Sequence, residues 1–399
     1  MTRSKVSQAT RQGTSAHIAA LFPRSYDGSR ARFRQNLDHI QQYWPNARLV
    51  SHRISSEEGL TIDWIEADAL ESCERLLIFT CGEHGIEAYV GSAVQQVFIN
   101  EYIQHLSAEK TGLLLVHAIN PWGMKYRRRV NSQNVDLNRN FIWVSPDMGT
   151  AENAYDADIN PNYAELLDLL NPQRALRSRA TSNLALAYHL LRGTVSLGVR
   201  QAQIAALFGQ YFYPRGLYYG GSDPQEETQV LMNLYRRQMA AYWQVLQLDM
   251  HTGYGPRYQM SLVNSALESR DSAWFVRQFD YPLVVKATGE EFYPIQGDMI
   301  DYIYQLAIEE FPDKGIYATS FEFGTIGSSL IAGLRSMRAM ILENQLYWYG
   351  PSSPAMRGWV RQEFEELYLP GEEKWRAKAI LDARQAFDGI LKAEGYFSP

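Results

Sequence analysis

The chain has 399 residues, of which 46% are hydrophobic and 21% charged, and its formal net charge is −6. That apolar content supports a large buried core, as one domain with insertions or as two domains. Mixed charge without a basic stripe argues against a nucleic-acid partner. No apolar run approaches the roughly 18 residues that span a membrane. The basic start, MTRSK, leads into no continuous apolar stretch, so no secretory signal is expected. Cys73 and Cys81 are the only cysteines. They offer no disulfide framework and no C-x-x-C spacing, which fits a cytoplasmic protein. Both are expected to be small buried residues, with Cys81 near the site by position.

In chain order, residues 47–68 read as a first pair of strands. Short apolar, β-branched runs at 75–80 (RLLIFT), 112–119, 245–250 (VLQLDM), 282–287 and 317–323 read as buried strands. Residues 88–106, 332–349 and 373–393 place apolar side chains three and four apart, as helices do. Strands alternating with helices predict an α/β fold: a central mixed, mostly parallel sheet with helices on both faces. Residues 150–243 break the rhythm. They are largely helical by pattern, with a Tyr-, Gly- and Pro-rich loop (FYPRGLYYGGSDP), and read as an insertion or lid. The whole chain is expected to form a single catalytic domain over 1–399. Its motifs lie in 75–330, and 331–399 form a C-terminal helical segment.

The polar motifs all follow predicted strands. GEHGIE (82–87) follows the run at 75–80, NPWG (120–123) follows 112–119, His251 closes VLQLDM, and Glu322 ends YATSFEF. In open α/β sheets, ligands bind outside the carboxyl ends of strands, so these distant positions should meet at one sheet edge. His84, Glu87 and His251 then make a His₂Glu set for one zinc ion with a coordination position left open, as catalytic zinc requires. Glu322 could take a proton from water and pass it to a leaving amine. The segment RRRVNSQNVDLNRNF (127–141) clusters arginine and asparagine, and arginine forks recognise carboxylates and oxyanions. Within it, Asn138 and Arg139 are the favoured functional pair, whereas Arg127 and Arg128 also fit a solvated turn. His17, His39, His52, His105 and His189 are expected at the surface or in helix packing, and His117 as a hydrogen-bonded core histidine. Trp122 and Met250 are expected to pack.

Taken in order, GEHGIE, NPWG…RVNSQNVDLNRNF, DMHTGYG and FEFGT resemble the zinc carboxypeptidase family over roughly residues 75–330. The resemblance implies that family's phosphorylase/hydrolase-like architecture, with His84, Glu87 and His251 as zinc ligands and Glu322 as general base. It implies Asn138 and Arg139 as binders of a substrate's terminal carboxylate, and Arg129 as the oxyanion arginine, with Arg128 the nearby competitor for that role. Asp136 would orient His84. FYPIQGDMIDYIY (292–304) resembles the segment carrying a substrate-capping tyrosine and the pocket floor, here Tyr293 and Ile300. The expected activity is zinc-dependent hydrolysis of an amide bond, foremost removal of a C-terminal residue. The substrate would be a peptide or an acyl-amino acid with a free carboxylate, with no nucleic acid and no membrane involved. An N-acyl amino acid deacylase on the same zinc site is the rival, and a non-catalytic peptide- or metal-binding protein ranks below it.

Overall fold

The computed structural model describes residues 18–143, 155, 159–288 and 295–397. Among these residues eight strands form one sheet: β1 Arg48–Arg53, β2 Thr61–Ala67, β3 Arg75–Cys81, β4 Thr111–His117, β5 Gln244–Gly253, β6 Met260–Asn264, β7 Val284–Lys286 and β8 Gly315–Gly324. Their order is β1-β2-β4-β3-β5-β8-β6-β7. The pairs β4–β3, β3–β5, β5–β8 and β6–β7 are parallel, while β1–β2, β2–β4 and β8–β6 are antiparallel. The sheet is therefore mixed, with a parallel centre.

Successive residues of a strand point to opposite faces. β4 is buried at every position, and β3 and β5 at all but their first residue. Both faces of the central strands are therefore covered, which is why these runs read as continuously apolar rather than alternating. β1, at the edge, is half exposed.

Among the described residues, the α-helices longer than one turn are α1 Tyr26–Ile40, α2 Ala88–Glu101, α3 Pro121–Tyr126, α4 Arg179–Leu197, α5 Val199–Leu207, α6 Glu226–Ala241, α7 Ser272–Phe279, α8 Met299–Glu310, α9 Leu330–Tyr349, α10 Pro354–Tyr368 and α11 Glu373–Ala393. α2 packs on β3 and β5, and α8 on β8. The main core gathers the sheet with α1, α2, α8 and α11. A second, smaller core joins residues 163–218 to α9 and α10 through Leu166, Leu170, Ala205, Ile341 and Phe364. No described helix is long and apolar enough to cross a membrane.

The predicted strand pair at 47–68 and the apolar runs at 75–80, 112–119, 245–250 and 317–323 form strands, and residues 373–393 are a helix end to end. The run at 282–287 shortens to three residues, and β6 was not foreseen. Cys73 departs from expectation. It is exposed, because it lies in the bend that leads into β3 rather than on the strand. Cys81, the last residue of β3, is buried, and burial pushes its thiol up to about 12.

Trp375 on α11 ties this framework to the functional edge. Its indole is 1% exposed, and Nε1 donates to the carbonyl of Gly324, the end of β8, at 2.8 Å. Trp375→Ala should cost about 3–5 kcal/mol, the usual range for removing a buried aromatic, measured by urea unfolding.

Candidate metal centre

The loop after β3 has little room. Gly82 turns with φ +77°, and a Cβ there would lie 2.7 Å from that of Ala88. At Gly85 a Cβ would lie 2.1 Å from the backbone of Gly123, so GEHGIE and NPWG pack backbone to backbone. Asn120 caps α3 by accepting from Gly123 N at 2.7 Å. Gly85 N donates to Arg129 O and Ile86 N to Arg128 O, so the arginine loop is pinned beside His84. On the far side, β5 and β8 place His251 and Glu322 directly opposite one another in register. The parallel strands carry both to the same sheet edge.

His84, Glu87 and His251 converge there, with one ligand atom from each lying within 4.8 Å of the others. All three are buried. His84 Nδ1 and Glu87 Oε1 stand 2.9 Å apart, yet they are not aligned for a hydrogen bond, and neither has a hydrogen-bond partner. Glu87 Oε2 accepts from Thr252 N at 2.7 Å and lies 3.3 Å from His251 Nδ1. Each imidazole thus turns Nδ1 toward Glu87 and gives Nε2 to an aspartate: His84 to Asp136 at 2.9 Å, and His251 to Asp249 at 2.5 Å. Histidines that hold a metal use their second nitrogen in this way, bound to a carboxylate that fixes the ring. Two orphaned buried atoms facing each other, in a set of two imidazoles and a carboxylate, fit one divalent cation.

Glu83, Asp249 and His251 form a second group of the same tightness. Its imidazole nitrogen, His251 Nε2, is already bound to Asp249, so it offers no comparable open donor. Glu83 is fully buried with neither oxygen hydrogen-bonded, and its Oε2 lies 3.4 Å from His251 Nε2. Burial, with Asp249 nearby, holds its carboxyl well above the usual range despite the opposing pull of His251.

Charge at the centre is strongly coupled. Burial opposes ionisation of Glu87, but His84 and His251 prevail and hold it down to about 2. Burial also opposes the charged form of His251, and here Asp249 and Glu87 prevail, so its pKa stands well above the usual value. Glu322 goes the other way: burial and the neighbouring charge of Glu87 push it up to about 8. His251 must therefore release a proton before it binds a cation. Metal affinity should rise with pH through the neutral range, and binding should release protons, measurable by calorimetry in buffers of different ionisation enthalpy. Asp249→Asn should weaken metal binding about 10–100-fold, the usual scale for a partner of a ligating histidine, as read by competition with a chelator.

A cavity of about 480 Å³ opens on this group and is lined by His84, Glu87, Arg129, Asn138, His251 and Glu322, with Ile300 and Asp298 in its wall. Arg129 donates to Asp136 through Nε at 3.2 Å and to the Tyr368 hydroxyl at 3.4 Å. Arg128 turns away, paired with Glu343 at 2.8 Å and stacked on Tyr347. Asn138 Oδ1 accepts from Met299 N at 3.1 Å. Arg139 is fully buried and is not among the residues lining the cavity. Its guanidinium donates to the carbonyls of Asn138 and Leu207 and lies over the ring of Tyr218. Tyr293 lies outside the described residues. His117 is a core histidine, bonded to Ser29 and stacked on Phe33, with its pKa lowered to about 4 by burial.

Asp249 was missed in the sequence, although D-x-H on a strand puts both side chains on one face. Tyr368 and Tyr218, beside Arg129, had no local signal.

Among curated proteins, none matches the chain. The structure is similar to bovine thrombin-activatable fibrinolysis inhibitor bound to tick carboxypeptidase inhibitor, at 15% identity, 85% of this chain, 97% of that one and TM-score 0.44. It is similar to carboxypeptidase A from Helicoverpa armigera, at 13% identity, 97% of this chain, 82% of that one and TM-score 0.43. It is also similar to an aspartoacylase family protein from Mesorhizobium loti, at 15% identity, 77% of this chain, 68% of that one and TM-score 0.33. The model of the family described as "Protein of unknown function (DUF2817)" matches residues 22–382, and the chain belongs to that family.

Proposed function

We propose that the protein is a zinc-dependent hydrolase of an amide bond, with His84, Glu87 and His251 as the ligands. The observation that carries this reading is the paired arrangement of two imidazoles, each turned to Glu87 by one nitrogen and held by an aspartate through the other. Zinc held there would polarise the scissile carbonyl and acidify water. Glu322, opposite His251 in register, receives the proton and delivers it to the leaving amine. Arg129 donates to the oxygen on which negative charge develops.

Two amide substrates suit this machinery: a peptide losing its C-terminal residue, and an acyl-amino acid losing its acyl group. Both substrates carry a carboxylate on the amino acid that leaves, and a second cation would be needed to hold it. Arg129 is the one arginine or lysine among the described residues lining the cavity, and Arg139 is covered by the insertion. That observation bears equally on both substrates. Comparing amino acid release from acylated amino acids and from short peptides, with zinc-loaded and chelated protein, tests the reading. No metal-dependent release from either class would remove it.

A further inference from the structure

The cavity has two unlike parts. Its charged lining residues come from the sheet edge and from Asp298. The part built by the insertion and α9 contributes no charged side chain among the described residues. There the wall is Leu166, Leu169, Leu190, Ala206, Met337 and Met340, relieved by Thr194, Gln203 and serines. At the mouth, Val199, Leu330 and Leu334 line the cavity while being 67%, 77% and 37% exposed. The apolar surface continues outward along α4. Leu184, Leu191 and Val195 are 71%, 65% and 77% exposed, at helical spacing on one face, whereas Leu186 and Leu190 of the same helix pack inward on the second core. A helix apolar on both faces is not that of an ordinary surface element.

Resting on the hydrolase reading above, we propose that the substrate carries a long unbranched acyl chain, that the chain lies in the apolar part of the cavity, and that it enters over the apolar rim. An alkyl chain has no hydrogen-bonding groups to leave unsatisfied there, which a peptide would have. The chain would run from the metal centre, where its amide carbonyl meets Arg129, toward Met337 and Val199. The rim would meet the hydrophobic part of the substrate before it enters, as expected for molecules that reach the protein from a micelle or lipid surface.

Titration calorimetry of the full zinc-loaded chain with hexanoate, octanoate, decanoate and dodecanoate tests this, since each is the acyl product of such a substrate. Affinity should tighten by roughly fourfold per methylene until the cavity is filled, the usual increment for a buried methylene. Thr194→Trp and Ala206→Trp should each end that gain at a shorter chain; Thr194 is only half-buried, so its variant serves if Ala206→Trp fails to fold. A flat series in the folded protein overturns the proposal, as does a steep series unchanged in the folded variants. A flat series together with dimers that bury α4, seen by sedimentation, would assign the stripe to a second copy of the chain and also overturn it. The two readings fail separately. A steep series without hydrolysis of N-dodecanoyl amino acids removes the hydrolase and leaves the acyl site. Hydrolysis of N-acetyl amino acids with a flat series does the reverse.

Discussion

Glu322→Gln should keep zinc bound and substrate affinity nearly unchanged while turnover falls by about 10²–10⁴-fold, the range that general acid–base catalysis supplies. The substitution preserves shape, and the amide can still accept from Tyr254 N as the carboxylate does at 2.9 Å. Only proton transfer is lost. In the metal-free protein, burial and Glu87 push Glu322 up to about 8, so below that pH it is largely protonated. A bound dication favours the anion and moves the titration down. The acidic limb of kcat/KM in the loaded protein should therefore lie below 8 and vanish in Glu322→Gln. Product release assays over pH, beside metal analysis of the same samples, measure both halves. Near-normal turnover in the variant would end the assignment.

The parts legible in the sequence share a cause. β3, β4 and β5 are apolar runs because both faces of the sheet's centre are covered. His84, His251 and Glu322 follow or close predicted strands, so a rule about strand ends brought them to one edge without knowledge of tertiary contacts. What stayed hidden depended on packing between segments far apart in the chain. Arg139 lies in a motif that resembles a carboxylate clamp, yet Leu207 and Gly209 close over it. Nothing within 127–141 could foretell that. Tyr368 reaches Arg129 from 239 residues away. Asp249 was concealed differently: it sits inside an apolar run, and a polar residue there reads as an interruption until its partner His251 is seen. The helical pattern of residues 179–241 was legible, but the outward apolar face of α4 was not, because a helix with apolar residues on both faces resembles a buried one.

Arg129→Ala carries the second large effect. The guanidinium sits between the metal group and Asp136, with its nearest Asp136 oxygen 3.0 Å away and Glu87 Oε1 3.9 Å away. If it stabilises charge that develops only in the transition state, its loss should lower kcat by about 10²–10³-fold and move KM far less, the scale for one oxyanion donor. There is a competing explanation. Burial disfavours the Asp136 anion, and Arg129, with His84, counters it to hold that carboxyl well below its usual range. Removing the arginine weakens a buried carboxylate that orients His84, so zinc affinity should drop as well. Turnover must therefore be read at saturating zinc, with metal content measured in parallel. Added guanidinium ion should then restore part of kcat if the lost group acted on the oxyanion. Restoration by zinc alone would make Arg129 a support for His84 and nothing more. Arg128→Ala is the matching control, for that side chain faces Glu343 and Tyr347. It should lower stability in urea while leaving kcat within a few-fold, and the reverse pattern between the two arginines would exchange their roles.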